Sequence, residues 1–187
     1  HCYPEPERLA IARCLTTNLS TGETMGDDGN NYDYTLFDVV ASTLAQDMPE
    51  EIEFASCVLT GQGMSIYYED KLSDVNYIYA DTCFFQTFGI PVLKGNPKDM
   101  IMPGSVFVSE HFARETFGDA DPIGKILKAD RQNDFTIRGV YKDMPENTVL
   151  THDFVVSIHR DGGYQGGYGW KGNDVFYTFL RLRNAAD

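Results

Sequence analysis

Ser109-Glu-His-Phe-Ala-Arg-Glu-Thr-Phe-Gly-Asp-Ala-Asp-Pro-Ile-Gly-Lys125 carries its own start and stop signals. Ser109 can cap a helix, because its hydroxyl oxygen can accept a bond from a first-turn amide that has no carbonyl partner. Phe112, Ala113 and Phe117 then share one face at helical spacing. Gly118 suits the left-handed residue that ends a helix. Asp121-Pro122 forces a turn, and Gly124 permits a second sharp bend before the next strand. Val106-Phe-Val108 reads as a strand leading into this helix. Lys125 to Lys128 and Phe135 to Tyr141 read as strands on either side of a turn at residues 129–134.

Upstream, Leu9 to Thr17 reads as a first strand. Asn18 to Asp33 is polar and glycine-rich, hence a loop. Its run Asp27 to Asp33 does not fit an EF-hand, which needs Gly at the sixth position where this chain has Tyr32. Thr35 to Asp47 has the stripe Leu36, Phe37, Val40, Ala41, Leu44 of an amphipathic helix, with Thr35 and Asp38 set as a capping pair. Glu51 to Thr60 reads as a second strand. Strand, helix, strand makes a βαβ unit with parallel strands. Gly61-Gln-Gly63 reads as a hinge. Met64 to Tyr68 and Val75 to Ala80 flank a hairpin turn at Glu69 to Lys71. Asp81 to Gly95 holds a short helical turn whose Phe84, Phe85 and Phe88 must be buried, with Gly89 as its stop. His152 to Ile158 and Val175 to Leu182 read as the last strands.

These stretches resemble the extracytoplasmic core domain of FtsX-like and MacB-type ABC-transporter permeases. Ser109 to Lys125 matches that family's SexxAxxxFGdxDPiGK segment, and Phe135 to Thr148 its tVtGVxkDxPxNS segment. Asp81, Phe84, Phe85, Phe88, Gly95 and Pro97 align without a gap to aDxxFFxxFxfxlxxGxp. Looser matches occur at Pro4, Arg8 and Leu9, at His152 to Ile158, and at the final strand. The resemblance covers about three quarters of the chain. It leaves out the loops at 18–34 and 160–173.

Composition sets further bounds. The chain has 187 residues, 42% hydrophobic and 13% aromatic, enough for a packed core. A formal charge of −13 disfavours nucleic acid as a partner, since phosphates require Lys and Arg. No apolar run reaches the roughly 20 residues a membrane helix needs. A start at His1 with no signal peptide suits a piece cut from a larger protein. Cys2, Cys14, Cys57 and Cys83 are widely spaced and form no C-x-x-C pair, so they read as buried thiols or one or two disulfides. No metal, nucleotide or hydrolase motif occurs, and no cofactor is expected.

The motif residues have a mechanical reading. Asp81, Phe85, Gly95, Ser109, Phe117, Gly118, Asp121, Pro122, Gly124, Gly139 and Pro145 are expected to maintain the fold. Gly139 stands in a strand where a side chain would crowd a neighbour. Tyr164, Tyr168 and Trp170, set among flexible glycines, are the candidate partner contact.

The expected fold is α+β with two lobes in one domain spanning 1–187. A porter-like βαβ lobe (about 1–60 plus 131–187) is interrupted by a smaller mixed lobe (about 61–130). The resemblance implies a periplasmic segment of a cytoplasmic-membrane protein. It would relay ATP-driven motion, without catalysis of its own, to cargo or partner proteins. The implied partners are a cognate cytoplasmic ATPase, a second permease copy, and a periplasmic adaptor or cargo. The alternative is a secreted or surface-anchored module that binds a glycan or protein through its Gly/Tyr/Trp loop.

Overall fold

Alternation of apolar residues along Val106, Phe107 and Val108 splits the molecule into an inside and an outside, and the rest of the fold is built on both faces of that strand. The computed structural model describes residues 3–17, 20–22, 24–25, 33–129, 133–144, 148, 150, 152–159 and 175–185. In chain order the elements are β1 (Leu9–Ile11), β2 (Thr16–Thr17), β3 (Thr24–Met25), β4 (Thr35–Leu36), α1 (Val40–Asp47), β5 (Ile52–Tyr68) and β6 (Lys71–Ala80). Then come α2 (Phe84–Phe88), β7 (Val92–Gly95), β8 (Ser105–Ser109), α3 (Glu110–Phe117), β9 (Ile126–Ala129), β10 (Asn133–Tyr141), β11 (Phe154–Ser157) and β12 (Phe176–Leu182). Short 3-10 turns lie at Pro6–Arg8 and Pro97–Ile101.

One mixed sheet runs β1-β12-β5-β6-β11-β8-β10-β7, with β4 on β12 and β9 joining β10 to β5. That last junction closes β5, β6, β11, β8, β10 and β9 into a ring, through Ile66 opposite Ala129 and Tyr67 opposite Lys128. The ring is filled by Met64, Ile66, Val106, Val108, Leu127, Ile137, Phe154 and Val156. Helix α3 adds Phe112, whose ring meets Phe154 edge-on at 4.7 Å. Outside the ring, Phe107, Val155, Tyr141 and Val58 form a second core with Phe84, Phe85 and Phe88 of α2. Burying each such phenylalanine contributes about 1.5–3 kcal/mol, which is why so short a helix holds its place. A third core lies under α1, between Ala41, Ile52, Ala55, Cys57, Ile158 and Phe176. The result is an α+β fold with a large mixed sheet and few helices.

Several elements differ from the sequence expectation. The first strand stops at Ile11, and Cys14 only bridges to Asp33. The helix expected from Thr35 begins at Val40. Thr35 and Leu36 instead pair with Tyr177 and Phe176, so a β-branched residue and its neighbour are used in the sheet. The Thr35–Asp38 capping pair therefore does not form, and Val39 stands at the N-cap of α1 with no side-chain cap bond. Gly61-Gln-Gly63 is not a hinge between strands but a bulge inside the 17-residue β5. A Cβ at Gly61 would lie 2.2 Å from the outer end of the Tyr77 ring, which would have to shift to admit it. The strands of the first βαβ unit, β1 and β5, do run the same way, yet they are not neighbours. Each pairs antiparallel with β12, which is inserted between them. β5 passes through the expected lobe boundary at residue 60, and β10 pairs with β8 and β9 of the expected insert.

Candidate functional site

Asp81 stands where β6 ends, half-buried at the edge of a cleft. It accepts bonds from the Ser56 hydroxyl and from the amides of Cys57 and Cys83, all at 2.9 Å. Burial raises its pKa above the ordinary carboxylate range, while the three donors pull the other way. Burial and then the Asp81 charge push the thiols of Cys57 and Cys83 up as well. Such thiols stay protonated and lack the thiolate that nucleophilic or metal chemistry uses. The group thus fastens β5 to the first turn of α2. Beside it lies a cleft of about 490 Å³, bordered by Asp38, Ser42, Cys57, Asp81, Cys83 and His159. Cys14, Cys57 and Cys83 are free, and Cys2 lies outside the described residues.

Gly95 of β7 and Gly139 of β10 face each other across an antiparallel ladder. A Cβ on Gly95 would lie 2.0 Å from the Arg138 carbonyl oxygen, and its φ of +86° excludes most side chains. A Cβ on Gly139 would lie 2.1 Å from the Phe107 ring. Phe107 cannot retreat: it is fully buried and packs on Phe85 at 5.0 Å. Phe85 in turn packs on Tyr141 at 5.6 Å. These motif positions form one continuous contact from α2 through β8 to β10.

At the head of α3, the Ser109 hydroxyl accepts a bond from the Phe112 amide at 3.0 Å and bonds to Asp153 Oδ1 at 2.6 Å. The Asp143 carboxylate accepts the neighbouring His111 amide at 2.8 Å. Two orphan donors of the helix start are thereby satisfied, and both carboxylates suit its positive end. Phe117 closes α3 against Tyr68 at 4.7 Å, with the Lys125 ammonium 5.9 Å from its ring. Gly118 follows with φ +60° and ψ −123°, a positive-φ conformation outside the left-handed region expected of it. Asp121 is exposed and takes Lys94 at 3.3 Å, Pro122 is buried, and Gly124 at φ +80° donates its amide to the Ile137 carbonyl at 2.8 Å. Beside this loop is a second cleft, about 370 Å³, bordered by Leu93, Lys94, Glu110, Arg114, Asp119 and Pro122.

Pro145, Tyr164, Tyr168 and Trp170 lie outside the described residues. Sequence reasoning passed over Asp143 and Asp153 as capping partners. The only signal for them was two acidic residues downstream of an N-cap serine, and nothing local says that β10 and β11 return to the head of α3. It also passed over Arg181, buried at 8% exposure in the last strand. Among the described residues no three His, Cys, Asp or Glu side chains gather as a metal site. No described helix is long and apolar enough to cross a membrane.

Comparison with known proteins places this geometry. The model of the MacB-like periplasmic core domain matches residues 10–187. A search of curated proteins finds none that matches the chain. Among solved structures, the chain is similar to a domain of a putative permease protein from Porphyromonas gingivalis. The TM-score is 0.76 at 22% identity, covering 99% of this chain and 77% of that one. It is also similar to the periplasmic region of MacB from Actinobacillus actinomycetemcomitans, with a TM-score of 0.63 at 13% identity, covering 96% and 77%. A third similar fold is the extracellular domain of the noncanonic ABC-type transporter YknZ from Gram-positive bacteria, with a TM-score of 0.60 at 12% identity, covering 95% and 84%. With the family model spanning nearly the whole chain, this protein belongs to the MacB-like periplasmic core domain family, the extracytoplasmic domain of ABC-transporter permeases of that type.

Proposed function

We propose that this domain is a non-catalytic relay that passes ATP-driven motion of its permease to cargo or to partner proteins outside the cytoplasmic membrane. The family match over residues 10–187 carries the reading. Supporting it is the placement of the first and last strands. Leu9 pairs with Arg181 in an antiparallel ladder, so the chain before β1 and the chain after β12 leave from the same end of the sheet. That placement suits a domain carried between two membrane segments. A cognate cytoplasmic ATPase and a second permease copy would supply the motion, and a periplasmic adaptor or cargo would receive it. The two lobes, about 1–60 plus 131–187 and about 61–130, are then mechanical units rather than separately folding ones, because β5 and β10 tie them into one sheet.

The test is removal of residues 3–185 from the full-length permease, replaced by a short flexible linker. Transport or partner activation should be lost while the ATPase still assembles and hydrolyses nucleotide. Full transport by the deleted permease would overturn the relay role. Micromolar nucleotide binding, or turnover, by this domain alone would overturn the non-catalytic reading.

A further inference from the structure

Four charged side chains meet where the first strand joins the last. Arg181 of β12 reaches Glu5 at 2.5 Å and Glu53 of β5 at 3.7 Å. Arg8 pairs with Glu53, bonds to Glu5 at 2.9 Å, and donates to the Leu182 carbonyl at 2.7 Å. The Arg181 side chain is only 9% exposed, so its charge is taken out of water and depends on these carboxylates and on the Pro4 carbonyl at 3.3 Å. Glu5 itself sits at φ +50°, a left-handed conformation that costs a residue with a side chain. It is held there by partners at both arginines. The same segment lays Tyr3 on Phe88 at 5.3 Å, sets Pro4 over Gly89, and ends in the three-residue edge strand β1.

We propose that residues 3–11 form a strap that opens as one unit, with Glu5, Arg8, Glu53 and Arg181 as its latch. The physical basis is a balance. Closed, Arg181 is paid for by ion pairs; open, it is hydrated instead. Opening also releases the strained Glu5, and its apolar cost falls on the half-buried Tyr3, Pro6, Leu9 and Ala10 and on the Phe88 ring that Tyr3 covers. The latch carboxylates are part-exposed, Glu5 at 52% and Glu53 at 33%, so salt reaches them. Opening as a unit is a property of this chain alone. Its use as the point where membrane motion enters the domain rests on the permease role proposed above.

Hydrogen exchange on the 187-residue chain tests it, for wild type and Glu53→Gln, at low salt and at about 1 M NaCl, where the screening length falls to ~3 Å. Peptides covering residues 9–12 should exchange roughly tenfold faster in Glu53→Gln and in high salt, while peptides of β8 and β11 do not change. If residues 9–12 exchange in step with β8 and β11 under every condition, the strap is part of the global unfolding unit and the proposal fails. It fails equally if neither the substitution nor salt alters the rate at 9–12. Should Glu53→Gln not fold, the wild-type salt series decides alone. A parent protein with no membrane segments would end the permease role and leave this exchange result untouched.

Discussion

Replacing Gly139 by Ala tests the packing account at a single atom. The new methyl would sit 2.1 and 2.2 Å from two carbons of the Phe107 ring, where carbon pairs settle near 3.5–4.0 Å. More than about 1 Å must be found. Phe107 is fully buried between α2 and the sheet, and Phe85 blocks its retreat. Gly139 is not among the positive-φ residues, so backbone strain plays no part and the effect is steric. Overpacking of this kind costs about 1–3 kcal/mol, which in a domain of this size lowers Tm by about 3–10 °C. Thermal and urea melts of the chain read it directly. The Gly139→Ala, Phe107→Leu double variant should lose less than the sum of the single changes, with a coupling of about 0.5–3 kcal/mol. Wild-type stability in Gly139→Ala, or strict additivity in the double variant, would refute the argument.

Ser109→Ala should cost about 1 kcal/mol from the lost cap, and more than that because Asp153 loses its partner too; an unchanged urea midpoint would contradict the role. Asp81→Asn should destabilise by about 1–3 kcal/mol, since an amide cannot accept all three donors. Because burial raises the Asp81 pKa, at acidities between its unfolded and folded values the folded state holds a proton that the unfolded state has shed. Wild-type stability relative to Asp81→Asn should therefore grow as pH falls from neutral toward 3.8, and a pH-independent gap would sink this. His152 shows the reverse linkage. Burial lowers its pKa below 6.5, so its contribution is present above pH 6.5 and lost as pH falls through the folded value. Melts of wild type against His152→Gln should diverge only in that acidic window.

Local signals made the elements legible where geometry depends on near neighbours. Glu69 and Asp70 turn β5 into β6, Gly89 ends α2 at φ +64°, and Ser109 starts α3. The spacing of Phe84, Phe85 and Phe88 is that of a buried short helix. What depends on distant chain was not legible. Nothing near Leu9 or Ile52 announces that β12 enters between them, because the partner lies more than a hundred residues away. Gly61 to Gly63 has the composition of a hinge, and only the pairing with β6, whose register shifts between Gly61 and Met64, makes it a bulge. The motif residues were visible as turn and packing signals, but the carboxylates of Asp143 and Asp153 reach α3 from two returning strands. The latch is of the same kind: Glu5 and Arg181 are 176 residues apart.

The most direct test of the central claim is the membrane topology of the full-length parent, mapped with reporter fusions before and after this domain. The account predicts a membrane helix on each side, with residues 1–187 outside the cytoplasmic membrane. Reporters showing the domain in the cytoplasm, or a parent with no membrane segment flanking it, would contradict the account.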